Sequence, residues 1–329
     1  MKRILSLLIT LACVAGFIYG CAAVSSSSSP EPSVPIEADM PAEKEPTLLL
    51  CLPRDGEDHT LLVDAFTEKA QAVGYEACVS EPSADNVLTD EQIWDVDQLR
   101  HQADAVIIYN CDGVEEGLVK KWSDAGVTIV AAGKRLDGQM PVEDAMLSRL
   151  IKANVAYADG ALSKAISSHI TDTLAAKKAS AGFVALFGNT DAQLEFLHFV
   201  KADMMLAESK YTPNDPMPVT DVATDLQNVK AAKAILYAGT DAAAWTAAIP
   251  SIKTSALIGF CTATPEAFAA LQNRTVDFLA FNDPIDLMYK AVDAAHTLLS
   301  TEQALAEWSP TAATLVLTPD DSRLASYMK

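Results

Sequence analysis

Ala105-Val106-Ile107-Ile108-Tyr109 is an apolar run that breaks into a polar corner, Asn110-Cys111-Asp112-Gly113. A helical segment carrying Trp122 follows, and a second apolar run, Val127-Thr128-Ile129-Val130-Ala131-Ala132, ends at Gly133-Lys134-Arg135. A β-branched run between a turn and a helix is the pattern of a strand buried on both faces, and two of them around one helix make a βαβ crossover. That predicts a parallel sheet. Ligands of such sheets sit beyond the carboxyl ends of the strands, where Asn110, Cys111, Asp112, Lys134 and Arg135 fall, so these five are candidate ligand-binding residues.

Upstream, residues 47–53 read as a first strand, 54–59 as a polar loop holding Glu57 and His59, 60–73 as a helix stopped by Gly74, 76–79 as a short strand and 90–102 as a further helix. The alternation is that of a doubly wound α/β lobe. Downstream, 148–156 is extended and Asp159-Gly160 opens a helix over 161–176, after which the pattern restarts. Strands at 182–187, 234–237, 255–260 and 276–281 end in Gly188-Asn189-Thr190-Asp191, Ala238-Gly239-Thr240-Asp241, Cys261 and Asn282-Asp283-Pro284, with helices at 192–208 and 285–299. The fold class is therefore α/β with two Rossmann-like lobes. Asn189, Asp191, Glu195, Asp241, Cys261 and Asn282 are the second lobe's candidates for ligand. Asp112, Asn189, Asp191 and Asp241 have a plainer reading as helix caps. Trp122 and Trp245 read as packing anchors, and Phe187, Phe260 and Phe281 as core residues or as stacking rings.

The chain has 329 residues, half of them hydrophobic, which suits two domains with sizeable cores. Met1-Lys2-Arg3 followed by an almost uncharged run to Gly20 reads as a secretory signal, with an uncleaved anchor as the alternative. Ile18-Tyr19-Gly20-Cys21 resembles a bacterial lipobox, although Tyr19 is bulkier than usual there. That resemblance implies cleavage before Cys21, lipidation of its thiol and tethering through 21–46, a Ser-, Pro- and acid-rich linker. A non-lipidated secreted protein with an unstructured start is the other reading. The formal net charge of −20 repels nucleic acid and anionic lipid, and no basic stripe offsets it. Cys51 and Cys78 lie in strand-like runs and read as small buried hydrophobes, with a bond between them left open. Cys111, Cys261 and His59 would suit a soft metal if they converged, but inert filler is the commoner role of such cysteines. No metal or other cofactor is expected, and no enzyme: nucleophile elbow, P-loop and dinucleotide fingerprint are all missing.

The order of 98–109, 126–130, 154–160, 235–241, Ile258-Gly259-Phe260 and Asn282-Asp283-Pro284 resembles the ribose-type (type I) periplasmic sugar-binding proteins, the solute receptors of bacterial ABC importers. The resemblance covers the chain from Thr47 to its end. It implies two lobes joined by a three-segment hinge, the periplasmic binding protein-like I architecture, closing as rigid bodies. The segments are then a signal peptide at 1–20, the Cys21 linker at 21–46, an N-terminal lobe at 47–153 plus 284–310, and a C-terminal lobe at 154–283 plus 311–329. It further implies a monomer held outside the cytoplasm by its N-terminal lipid, carrying a small sugar or sugar-like ligand to an ABC transporter permease. A sensor kinase or chemoreceptor is the alternative partner, with a non-sugar ligand.

Departures from the family pattern bear on the ligand. Glu57, His59 and Thr60 stand where sugar-binding members place stacking aromatics, Gly133 and Lys134 replace an Asp-Arg pair, with Arg135 one step later, and Glu195 replaces an arginine. Thr240-Asp241 replaces Asn-Asp, Cys261 an aspartate, and Asn282 nearly matches a glutamine. Sugar hydroxyls are held by carboxylate, amide and guanidinium groups and by rings, so these changes favour a cationic or amino-bearing ligand, or a metal ion, over a plain hexose.

Overall fold

The computed structural model describes residues 46–52, 59–80, 103–109, 119, 122–133, 150–301 and 310–328. The first sheet contains β1 (Thr47–Cys51), β2 (Glu76–Ser80), β3 (Ala105–Tyr109), β4 (Thr128–Gly133) and β5 (Ala153–Tyr157), with α1 (His59–Ala72) between β1 and β2. The second is built from β6 (Gly182–Gly188), β7 (Tyr211–Pro213), β8 (Met217–Pro218), β9 (Ala234–Ala238), β10 (Leu257–Phe260) and β11 (Phe278–Asn282). Around it lie α2 (Ala161–Ala176), α3 (Asp191–Leu206), α4 (Val222–Asn228), α5 (Ala242–Ala248) and α6 (Pro265–Gln272). Helix α7 (Pro284–Thr301) and strands β12 (Thr311–Ala312) and β13 (Thr314–Leu317) complete the chain, before a 3-10 turn over Ser322–Tyr327.

Strand order in the first sheet is β12-β5-β4-β3-β1-β2, parallel throughout. The apolar runs account for this: each of β1, β3 and β4 is buried on both faces. Leu48 and Leu50 point into a cluster with Phe66 of α1 and Leu287, Met288 and Val292 of α7. Leu49 and Cys51 point the other way, onto Val119, Trp122 and Ile129. Burying a side chain of this size removes roughly 1.5–3 kcal/mol worth of apolar surface from water, so two-sided burial holds the strands centrally. Gly74, with φ 88°, ends α1: its left-handed backbone lets Tyr75 N donate to Ala70 O and turns the chain into β2.

The second sheet runs β13-β11-β10-β9-β6-β7, with β8 also on β6; only β13 is antiparallel. Helices α2 and α3 cover one face through Ile166, Ile170, Leu197 and Val200. On the other face α4, α5 and α6 pack with the C-terminal turn around Trp245, Phe268 and Tyr327. Trp122 and Trp245 are both fully buried anchors.

The chain passes between the sheets three times, after β5, between β11 and α7, and between β12 and β13. Pairing keeps Ala153–Tyr157 and Thr311–Ala312 with the first sheet, a few residues past the lobe bounds of 154 and 311 read from sequence, because β5 and β12 hydrogen-bond to each other. The crossings are laced together. Tyr157 Oη donates to Asp283 O at 3.2 Å, Asp283 N to Ala313 O at 2.9 Å, and Ala313 N to Asp286 Oδ2 at 2.7 Å. Lys290 Nζ adds bonds to Thr311 O at 2.7 Å and to Asp286 Oδ2 at 2.9 Å.

Candidate functional site

Parallel pairing brings the carboxyl ends of β6, β9, β10 and β11 to one edge of the second sheet, and each delivers a residue singled out from the sequence. At the centre is Tyr237 of β9, fully buried, with its ring stacked on Trp245 at 4.5 Å and edge-on to Phe260. Its hydroxyl accepts from Asn189 Nδ2 at 3.0 Å and from Asp241 N at 3.1 Å, joining the loops after β6 and β9. A Cβ on Gly239 would overlap that hydroxyl, so the turn holds glycine. Asp241 caps α5 by accepting from Ala244 N, as the plainer reading had it. Helix α3 is capped instead by Thr190, in a reciprocal box with Gln193. That leaves Asp191 and Glu195 exposed on its first two turns.

Cys261 follows β10, yet its side chain packs against the α2–α3 core cluster, where burial pushes its thiol up, away from ionisation. Among the described residues no group of three or more His, Cys, Asp or Glu side chains is placed to hold a metal ion. Phe187, Phe260 and Phe281 are core residues, each buried. Cys51 pairs opposite Ser80 and Cys78 opposite Leu49, two rungs out of register, and both are thiols. His59 opens α1, half-buried. Glu57, Asn110, Cys111, Asp112, Lys134 and Arg135 lie outside the described residues, as does Cys21.

Asn282, at the end of β11, accepts from Thr314 Oγ1 at 3.0 Å and lines a cavity of about 670 Å3. Gly133 and Tyr157, the last residues of β4 and β5, supply wall from the first sheet, and Asp159 and Gly160 the crossing. Leu162 and Ser163 of α2 and Phe196 and Phe199 of α3 close the other side. This volume falls within the range of small-molecule sites. Sequence reasoning placed Asn282 here and missed Tyr157, Phe196 and Phe199. On α3 the apolar positions 194, 196, 197, 199 and 200 cover more than one face, so no periodicity separates core from cavity.

Beside the cavity, Asp283 is 8% exposed and caps α7, accepting from Ile285 N and Asp286 N. Burial pushes its carboxyl above the usual carboxylate range, against the pull of the Tyr327 hydroxyl and the two backbone N–H groups, while nearby Asp286 adds to the rise. Tyr327 is pushed up in turn, by burial first and then by Asp283.

No family model matches the chain, and no curated protein matches it. Solved structures do. An ABC transporter solute-binding protein from Bacillus halodurans with bound myo-inositol superposes with a TM-score of 0.60 at 17% identity, over 88% of this chain and 99% of that one. A Bradyrhizobium solute-binding protein with bound bis-tris gives a TM-score of 0.63 at 18% identity, over 92% and 90%. A periplasmic ribose ABC transporter protein from Conexibacter woesei gives 0.64 at 14% identity, over 87% and 95%. Two largely parallel sheets, three crossings and these superpositions together show that the chain has the fold of the type I periplasmic binding proteins.

Proposed function

We propose that the chain is an extracytoplasmic solute-binding lipoprotein that captures a small polar ligand, a sugar or sugar-like molecule, between its two lobes and delivers it to an ABC permease. One observation carries this reading: a single cavity takes its wall from strand ends of both sheets and from the segment crossing between them. A ligand seated there touches parts that move relative to each other when the hinge bends, so binding favours the closed arrangement. The myo-inositol and bis-tris held by proteins of this fold are both small polyhydroxylated molecules, which supports a ligand of that kind. The lobes are 47–153 with 284–310 and 154–283 with 311–329, apart from β5 and β12, whose pairing extends the first lobe by a few residues at 154 and 311, behind a signal peptide at 1–20 and a tether starting at lipidated Cys21. Among the described residues no helix is long and apolar enough to cross a membrane.

Native mass spectrometry of freshly purified protein tests the binding function. A co-purifying small molecule, released on unfolding, is the expected result; only the unliganded mass, with no thermal shift from any polyol in a broad panel, refutes it. Labelled palmitate entering the wild type and not Cys21→Ala tests the anchor. Loss of solute uptake on deletion supports delivery to a permease. Intact uptake with a lost transcriptional or chemotactic response supports the sensing alternative, which the Glu195 and Cys261 departures motivate.

A further inference from the structure

The geometry points to an amphipathic ligand: a hydroxylated ring carrying an aromatic or apolar group, with that group against Phe196 and Phe199 and the hydroxyls at the strand ends. This names the ligand class of the site described above and rests on that reading. Phe199 is 58% exposed although it lies on a helix that buries Leu197 and Val200, and it lines the cavity together with Phe196 one turn away. Phenylalanines three apart on a helix present their rings on the same side. With Leu162 and Tyr157 they make an apolar wall against which a flat apolar group can pack.

Among the described residues the polar groups of the cavity are few. Ser163 is engaged, its hydroxyl donating to Asp203 Oδ2 at 2.6 Å. Asn282 has its Oδ1 committed to Thr314, which turns its Nδ2 into the donor left over: that group has no partner among the described residues. The Asp159 carboxylate likewise has none among the described residues, and it accepts rather than donates. One amide donor and one carboxylate acceptor suit hydroxyls. Among the described lining residues there is no lysine or arginine, and Asp159 and the chain's net charge of −20 oppose a phosphorylated ligand. An aryl glycoside and a nucleoside share the required chemistry, a hydroxylated ring bearing a flat apolar group.

Calorimetric titration of the mature chain with phenyl β-D-glucopyranoside, adenosine, adenosine monophosphate and D-glucose separates the sources. Either of the first two should bind about tenfold or more tighter than D-glucose, the size of one stacked ring, and the tighter of them names the source. Phe199→Ala should bring the substituted probes down to the level of D-glucose measured on the same variant, with the melting temperature unchanged because the ring is 58% exposed, and Phe199→Trp should keep the advantage. Equal binding of D-glucose and the substituted probes, or an advantage untouched by Phe199→Ala, overturns the amphipathic site while leaving a solute-binding protein. Tighter binding of the monophosphate also overturns it. Absence of binding and of lobe closure with every probe removes both.

Discussion

Replacing Tyr237 by phenylalanine removes the hydroxyl that ties the strand-end loops. The ring, its stacking on Trp245 at 4.5 Å and its contact with Phe260 all remain, so no cavity opens and the change reads only the hydroxyl. Two hydrogen bonds to described residues disappear, at 3.0 Å from Asn189 Nδ2 and 3.1 Å from Asp241 N. At about 0.5–1.5 kcal/mol each, the pair is worth roughly 1–3 kcal/mol. Asn189 and Asp241 are exposed, so water re-satisfies their N–H groups in the variant and places the loss near about 1–2 kcal/mol. For a domain of this size that lowers the melting temperature by about 2–8 °C. Urea unfolding followed by tryptophan fluorescence measures it, since Trp245 reports on this layer. An unchanged midpoint would refute the assignment of Tyr237 as the tie between the two loops.

Asp283 gives a pH-dependent prediction. Its carboxyl is raised in the folded chain, so its contribution to stability is fully present below the ordinary carboxylate pKa and is lost as pH rises through the raised value. Melting curves across that acidic window should therefore show the wild type losing stability relative to Asp283→Asn as pH rises, and parallel curves would contradict the burial argument. Gly259→Ala would drive a methyl into the Phe278 ring and should cost about 1–3 kcal/mol in the same urea assay; a neutral change would contradict the packing of β10 on β11. Burial pushes the Cys261 thiol up, so it should resist a thiol reagent at pH 8 in the folded protein and react fully in denaturant. Mapping by mass spectrometry distinguishes it from the other cysteines.

Much of the fold was legible because burial on both faces leaves a compositional trace. The run 105–109 could be read as a strand buried on both faces and the run 234–237 as a strand, without knowing their neighbours, and both are strands. Strands β7 and β8, three and two residues long, are too short to show a period, and both contain proline. Helix α6 carried a usable signal that went unread: Thr264 caps it and Pro265 occupies its first position. In the site, sequence located strand ends but not side-chain directions. The Asn189 side chain turns toward Tyr237, that of Asp241 turns back to cap α5, and Cys261 turns into the α2–α3 core, because tertiary packing decides which way a residue just past a strand faces. Phe196 and Phe199 were hidden for the same reason on a helix apolar on more than one side.

Small-angle scattering of the mature chain, alone and with saturating myo-inositol, D-ribose, bis-tris, adenosine or phenyl β-D-glucopyranoside, tests the two-lobed capture most directly. The account predicts a smaller radius of gyration with at least one of these ligands, accompanied by a rise in melting temperature. An unchanged radius of gyration and an unchanged melting temperature with every one of them would contradict it.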